Sequence, residues 1–186
     1  MKHTALLSLL GAAMMTSGCA LFQAPEAKET NAAAAPAPAE VTVGLIDNQG
    51  RPVGQAQLKQ LQHGVLIDVK ATGLTPGLHG FHIHETGKCV LPDFKSAGAH
   101  FNPGAKKHGH DNPAGPHAGD IPNLVAEADG SAQAQFIVTT VTLKKNAPNS
   151  LLKAGGTALV IHAGVDDLAT DPAGNAGDRI VCGVIQ

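Results

Sequence analysis

Tryptophan and tyrosine are absent from this chain of 186 residues, and five phenylalanines are its whole aromatic complement. The core therefore does not take its bulk from aromatic rings, and an interface has only phenylalanine to draw on for aromatic anchors. Charge is also sparse. Lys and Arg number 13 against 15 Asp and Glu, a formal net charge of −2, so no global basic field argues for nucleic acid. No run approaches the ~18 apolar residues of a membrane-spanning helix. Cysteine occurs only three times. What the chain does have is glycine and histidine, 22 and 10 of them. That much glycine implies many tight turns, hence short strands rather than long helices. The length suits a single domain with a tail.

The first residues read as an export signal. Lys2 and His3 make a short basic start, and positions 5–15 form an apolar stretch too short to span a bilayer. Thr16-Ser17-Gly18-Cys19 follows and resembles the lipobox of bacterial lipoproteins, although Thr16 departs from the usual Leu-like residue. Residues 1–18 are then a signal peptide and Cys19 carries lipid; the alternative is an ordinary cleavage site on a soluble secreted protein. Residues 19–40 are low in complexity, rich in Ala and Pro, and cannot bury enough apolar surface to order themselves. They read as a disordered tether that reaches on the order of 25 Å. Ala20 is not an aspartate, which by resemblance to the bacterial sorting pattern points to a periplasmic domain held at the outer membrane. With Cys19 lipidated, Cys89 and Cys182 remain as an even pair in an oxidising compartment. A disulfide between them would close a loop of roughly 90 residues, contributing up to about 4–5 kcal/mol in the chain-entropy model.

From Val41 the pattern turns to short β-prone runs between turn signals, at 41–47, 53–60, 65–70, 79–84, 124–128, 132–139, 157–163 and 180–185. Eight short strands without a helix predict an all-β, antiparallel barrel or sandwich over residues 41–186. Two long segments, 85–123 and 164–179, interrupt the rhythm. Both are rich in Gly, Pro, His and Asp, and long loops of that kind are usually functional.

Those loops and the strands beside them hold the candidate ligands. His82 and His84 are two apart in a strand-like run, so both imidazoles leave one face and can bind one metal. His79 has the opposite parity and reads as structural. His100, His108, His117 and Asp120 offer three imidazoles and a carboxylate, a plausible closed tetrahedral zinc site. His162 ends a strand and could add a ligand from across the sheet. Imidazole-rich sites suit copper and zinc, with copper favoured on intrinsic affinity. His63 and His110 read as solvent-facing, Lys106-Lys107 as a solvated turn, and Phe81, Phe101 and Phe136 as core.

Four segments carry a resemblance: Gly80-Phe-His-Ile-His-Glu-Thr-Gly-Lys-Cys89, Ala99-His-Phe-Asn-Pro103, His117-Ala-Gly-Asp120 and Gly174-Asn-Ala-Gly-Asp-Arg-Ile-Val-Cys-Gly-Val184. Together they resemble the copper–zinc superoxide dismutases, over nearly all of residues 41–186. The resemblance implies a Greek-key barrel and one copper and one zinc per chain. It implies His82, His84, His100 and His162 as copper ligands, and His100, His108, His117 and Asp120 as zinc ligands, with His100 as a bridging imidazolate. Asp166 would link ligands of the two metals, Arg179 would dock the anion beside copper, and Cys89 and Cys182 would form the family's disulfide. The expected reaction is dismutation of superoxide to dioxygen and hydrogen peroxide outside the cytoplasm, by a monomer or a homodimer. The competing reading is a non-catalytic copper and zinc buffering or delivery protein on the same scaffold. Residues 41–186 hold 11 Lys and Arg against 12 Asp and Glu. Attraction of superoxide is therefore expected from Arg179 and a local patch among Lys88, Lys95, Lys144 and Lys145.

Overall fold

The computed structural model describes residues 39–186. The signal segment, Cys19 and nearly all of the tether lie outside the described residues. Eight strands follow in order: β1 (Glu40–Asp47), β2 (Pro52–Gln60), β3 (Val65–Ala71), β4 (Gly77–His84), β5 (Asp120–Ala126), β6 (Ala132–Val138), β7 (Thr157–His162) and β8 (Arg179–Ile185). Only a three-residue 3-10 turn, Lys95–Ala97, is helical among the described residues.

All ladders are antiparallel, in the order β5-β4-β7-β8-β1-β2-β3-β6. β5 and β6, the two outer strands of that order, are joined by the tight turn at Glu127–Ser131. The sheet curls to bring them together as a nearly closed barrel. Period-two burial drives the curl. In β3, Val65, Ile67, Val69 and Ala71 are buried while Leu66, Asp68 and Lys70 are not. The inward residues of every strand meet in one core, to which β4 and β7 contribute Phe81, Ile83, Leu159 and Ile161. Phe136 tilts against Phe81 with ring centroids 5.7 Å apart.

β4 and β7 depart from alternation because both of their faces are covered. One face joins the main core. The other lies under the long loops, where Ala158 and Val160 pack with Phe94, Ala97 and Cys182 in a second apolar cluster. Even-numbered residues of these strands therefore point away from the barrel into a loop-roofed space, and that is where the histidines lie.

The fifth strand begins at Asp120 rather than at position 124. Pro122 hid its start in the sequence. The β4–β5 register slips between His79 and Phe81, leaving Pro122 without a ladder partner, so its missing N–H costs no bond. Asp120 is consequently a strand residue, paired with His82, and not part of the loop.

Candidate metal centre

β4 supplies His82 and His84, both buried on the roofed face. Residues of the first loop strap back onto the end of that strand. His100 makes an isolated antiparallel bridge with His84, and Phe101 N and Ile83 N donate to Ile83 O and Gly119 O at 2.8 Å each. This strap seats the His100 ring over His82, with centroids 4.0 Å apart. β7 ends with His162 opposite Arg179, the first residue of β8. β5 begins with Asp120, around which His100, His108 and His117 gather.

Two four-residue clusters result, and they share His100. The ligand atoms of His82, His84, His100 and His162 lie within 4.8 Å of one another, as do those of His100, His108, His117 and Asp120. In the second, Asp120 Oδ1 lies 2.9, 3.1 and 3.2 Å from the Nδ1 atoms of His100, His108 and His117. His108 Nδ1 is near that oxygen yet out of hydrogen-bond alignment, so it counts among the unpartnered atoms below.

Among the described residues, five buried imidazole nitrogens have no hydrogen-bond partner: His82 Nδ1, His84 Nε2, His100 Nε2, His108 Nδ1 and His162 Nε2. Orphaned buried polar atoms are costly, and five converging in one place fit bound metal. On four of these rings the other nitrogen is committed to an orienting acceptor. His82 Nε2 meets Asp166 Oδ2 at 2.6 Å and His108 Nε2 meets Asp166 Oδ1 at 3.0 Å. His84 Nδ1 meets Gly98 O at 2.9 Å, and His162 Nδ1 meets Gly177 O at 3.0 Å. Such partners fix tautomer and ring orientation.

Burial keeps most of these imidazoles neutral. Desolvation brings His82 down to about 3 against the pull of Asp166, and brings His162 down to about 4 against its Gly177 bond. His84 falls to about 2 by desolvation and the neighbouring His100, and desolvation lowers His100 against Asp120. His108 runs the other way. Burial would lower it, but the adjacent Asp120 and Asp166 carboxylates outweigh that and raise it to about 9. Burial likewise opposes ionisation of Asp120 and Asp166, yet their imidazole partners hold both well below the usual carboxylate range.

Arg179 sits at the edge of the first cluster. Its guanidinium donates to Phe94 O at 2.8 Å and Gly98 O at 2.7 Å. Gly98 O thus serves both the arginine and the ring of His84. The segment carrying these carbonyls is anchored by the Cys89–Cys182 disulfide.

Every candidate site residue among the described ones is therefore brought together. His79 stays out of the clusters, its two ring nitrogens each 2.7 Å from a backbone carbonyl, of His162 and Thr75. His63 and His110 are exposed. Lys88, Lys95, Lys106, Lys107, Lys144 and Lys145 are all exposed. Lys95 shares a cleft of about 370 Å³ with Arg179, its ammonium 3.0 Å from Asp93. Lys106 and Lys107, read as a solvated turn, line another cleft of about 520 Å³ with His100 and His117. No local sequence signal marked that cleft, nor the two glycine carbonyls that orient ligand rings, because backbone contacts leave no residue-type signature.

The model of the copper/zinc superoxide dismutase (SODC) family matches residues 53–185. The chain belongs to that family. It is 54% identical over 143 residues to superoxide dismutase (Cu-Zn) 1 of Aquifex aeolicus, across 76% of this chain and 85% of that protein. A SOD-like protein from Bacillus subtilis superposes with a TM-score of 0.77 at 44% identity, covering 80% of this chain and 100% of that one. The Cu/Zn superoxide dismutase from Brucella abortus gives 0.64 at 31% identity, covering 80% and 100%. Membership in the dismutase family makes the chain an oxidoreductase with copper and zinc as its metals, in keeping with the two imidazole clusters.

Proposed function

We propose that this chain dismutates superoxide outside the cytoplasm, with copper in the first cluster and zinc in the second. Five orphaned imidazole nitrogens converging on two nests that share His100 carry this reading. Copper would be held by His82 Nδ1 and by the Nε2 atoms of His84, His100 and His162. Zinc would be held by the Nδ1 atoms of His100, His108 and His117 and by Asp120 Oδ1. Bound copper supplies the one-electron chemistry, by which one superoxide is oxidised to dioxygen and a second, with two protons, leaves as hydrogen peroxide.

The chain's own residues do the rest. His100 faces both nests, one ring nitrogen to each, so its Nε2 can hold a proton and give it up again within one cycle. Asp166, bonded to His82 and His108, keeps the two nests in register. Arg179, clamped by two carbonyls, presents a fixed positive charge to a small anion. The near-neutral domain leaves attraction to local charge, chiefly that of Arg179, since Lys95 and Lys107 are each paired with a carboxylate, Asp93 and Asp171.

Export and anchoring rest on the sequence of residues 1–40, and the Cys89–Cys182 disulfide suits an oxidising compartment. Incorporation of labelled fatty acid into the wild type and not into Cys19→Ala is the expected result for a lipoprotein. For the activity, the purified protein is assayed for superoxide dismutation with copper and zinc measured on the same sample. Fast turnover that depends on copper, at about one copper and one zinc per chain, is expected. Tight binding of both metals without turnover would instead establish metal buffering.

A further inference from the structure

We infer that Asp171 is a positioning residue for the zinc cluster, gripping His108 by its backbone from the opposite loop. The inference rests on the zinc assignment proposed above. His108 lies in the first long loop, yet two of its fixings come from the second. Its ring Nε2 meets Asp166 Oδ1 at 3.0 Å, and its backbone N donates to Asp171 Oδ1 at 2.9 Å. The other oxygen of Asp171 takes the Lys107 ammonium at 2.9 Å. Around this point the loops are stitched further, by Asp111 N to Leu168 O at 2.9 Å and Asn112 Nδ2 to Ala169 O at 3.2 Å.

Asp166 fixes the direction of the ring. Asp171 fixes the amide of the same residue, beside the backbone bonds of Gly109 and Asp111. Metal sites require ligand atoms held to about 0.5 Å, and losing a partner that orients a ligand typically weakens metal binding 10–100-fold. The two bonds of Asp171 are not equal in this. Its pair with Lys107 is exposed, with side-chain accessibilities of 60% and 37%, and such pairs contribute little. The bond to the His108 amide is partly buried and charge-assisted, so it carries the effect.

Three substitutions separate these contributions in the full chain. D171A removes both bonds, D171N keeps an oxygen acceptor for the amide, and K107M removes only the ion pair. Zinc and copper dissociation constants are read by competition with a chromophoric chelator on metal-free protein with its disulfide intact. Zinc affinity of D171A is expected to fall at least about tenfold, with D171N and K107M within about threefold of wild type and copper affinity unchanged in all three. Equal zinc affinity in D171A and wild type overturns the inference. So does a K107M effect as large as that of D171A, or an equal loss of copper affinity, which would mean general loosening. Should D171A fail to fold, hydrogen exchange at the wild-type His108 amide decides, since an unprotected rate would show that Asp171 does not hold it. A wild type that takes up no zinc sinks the zinc assignment itself, and this inference with it.

Discussion

His100 is the candidate ligand that the two nests share, and substitutions around it should separate the two metals. His117→Ala is expected to lose zinc and keep copper, and His162→Ala the reverse, each by more than the 10–100-fold of an orienting partner. His100→Ala is expected to weaken both. Metal analysis after dialysis against a graded chelator checks the pattern. Protonation separates the nests as well. His108, raised to about 9 in the metal-free protein, carries a proton at pH 7 that zinc must displace. His82, His84 and His162, at about 3, 2 and 4, carry none. Zinc uptake at pH 7 should therefore release about one proton from His108, fading as pH rises past 9, while copper uptake draws none from those three. Calorimetry in two buffers of different ionisation enthalpy measures it. The same depressed values set acid stability. In the unfolded chain these imidazoles titrate near 6.5, so above that pH they cost nothing. As pH falls from 6.5 towards 4 and below, the unfolded chain takes up protons that the folded sites exclude. The metal-free domain should lose stability over that window, visible as a falling denaturation midpoint.

Parity along β4 is the device that makes the site. Phe81 and Ile83 enter the core while His82 and His84 leave it, so one strand serves packing and ligation at once. The loops above depend on close backbone approach. Gly109, next to His108, has φ +99°, and a Cβ there would overlap the Leu168 carbonyl. Its N–H donates to Asp120 Oδ2 at 2.9 Å. Gly109→Ala should cost about 1–3 kcal/mol from backbone strain alone and weaken zinc binding, leaving the barrel strands intact. Thermal melts of the metal-free and zinc-loaded forms, with far-ultraviolet dichroism of the variant, test this. A zinc affinity equal to wild type would show that the loops can part without disturbing His108.

The whole domain is closed by one covalent tie. Cys89 and Cys182 are separated by 93 positions, joining the first loop to β8 over a second apolar cluster with Phe94. Replacing both by serine should destabilise the domain by roughly 2–5 kcal/mol. It should also slow turnover beyond what lost stability explains, because the freed segment carries the Phe94 and Gly98 carbonyls that clamp Arg179. Denaturant unfolding and kcat/KM on the metal-loaded double variant, compared with wild type, separate the two effects. Unchanged kcat/KM in a stably folded variant would show that the clamp stands without the disulfide.

The sequence by itself determined the fold class and the candidate ligands. Alternation such as that of residues 65–70 is a local property, and metal chemistry needs particular side chains, so both leave marks in residue type. Eight strands, the two long loops, His82 with His84, and the cysteine pair were all legible for that reason. Tertiary structure decided the rest. Pro122 masked the start of β5 because only the register slip against β4 makes a proline harmless there. Lys106 and Lys107 looked like an ordinary turn, and only the fold of the first loop sets them beside His100 and His117. The grips of Gly98 and Gly177 on imidazoles, and of Asp171 on the His108 amide, join positions 14, 15 and 63 residues apart, the first two through backbone carbonyls. A carbonyl is the same atom group in every residue, so its role appears only once folding has chosen its neighbour.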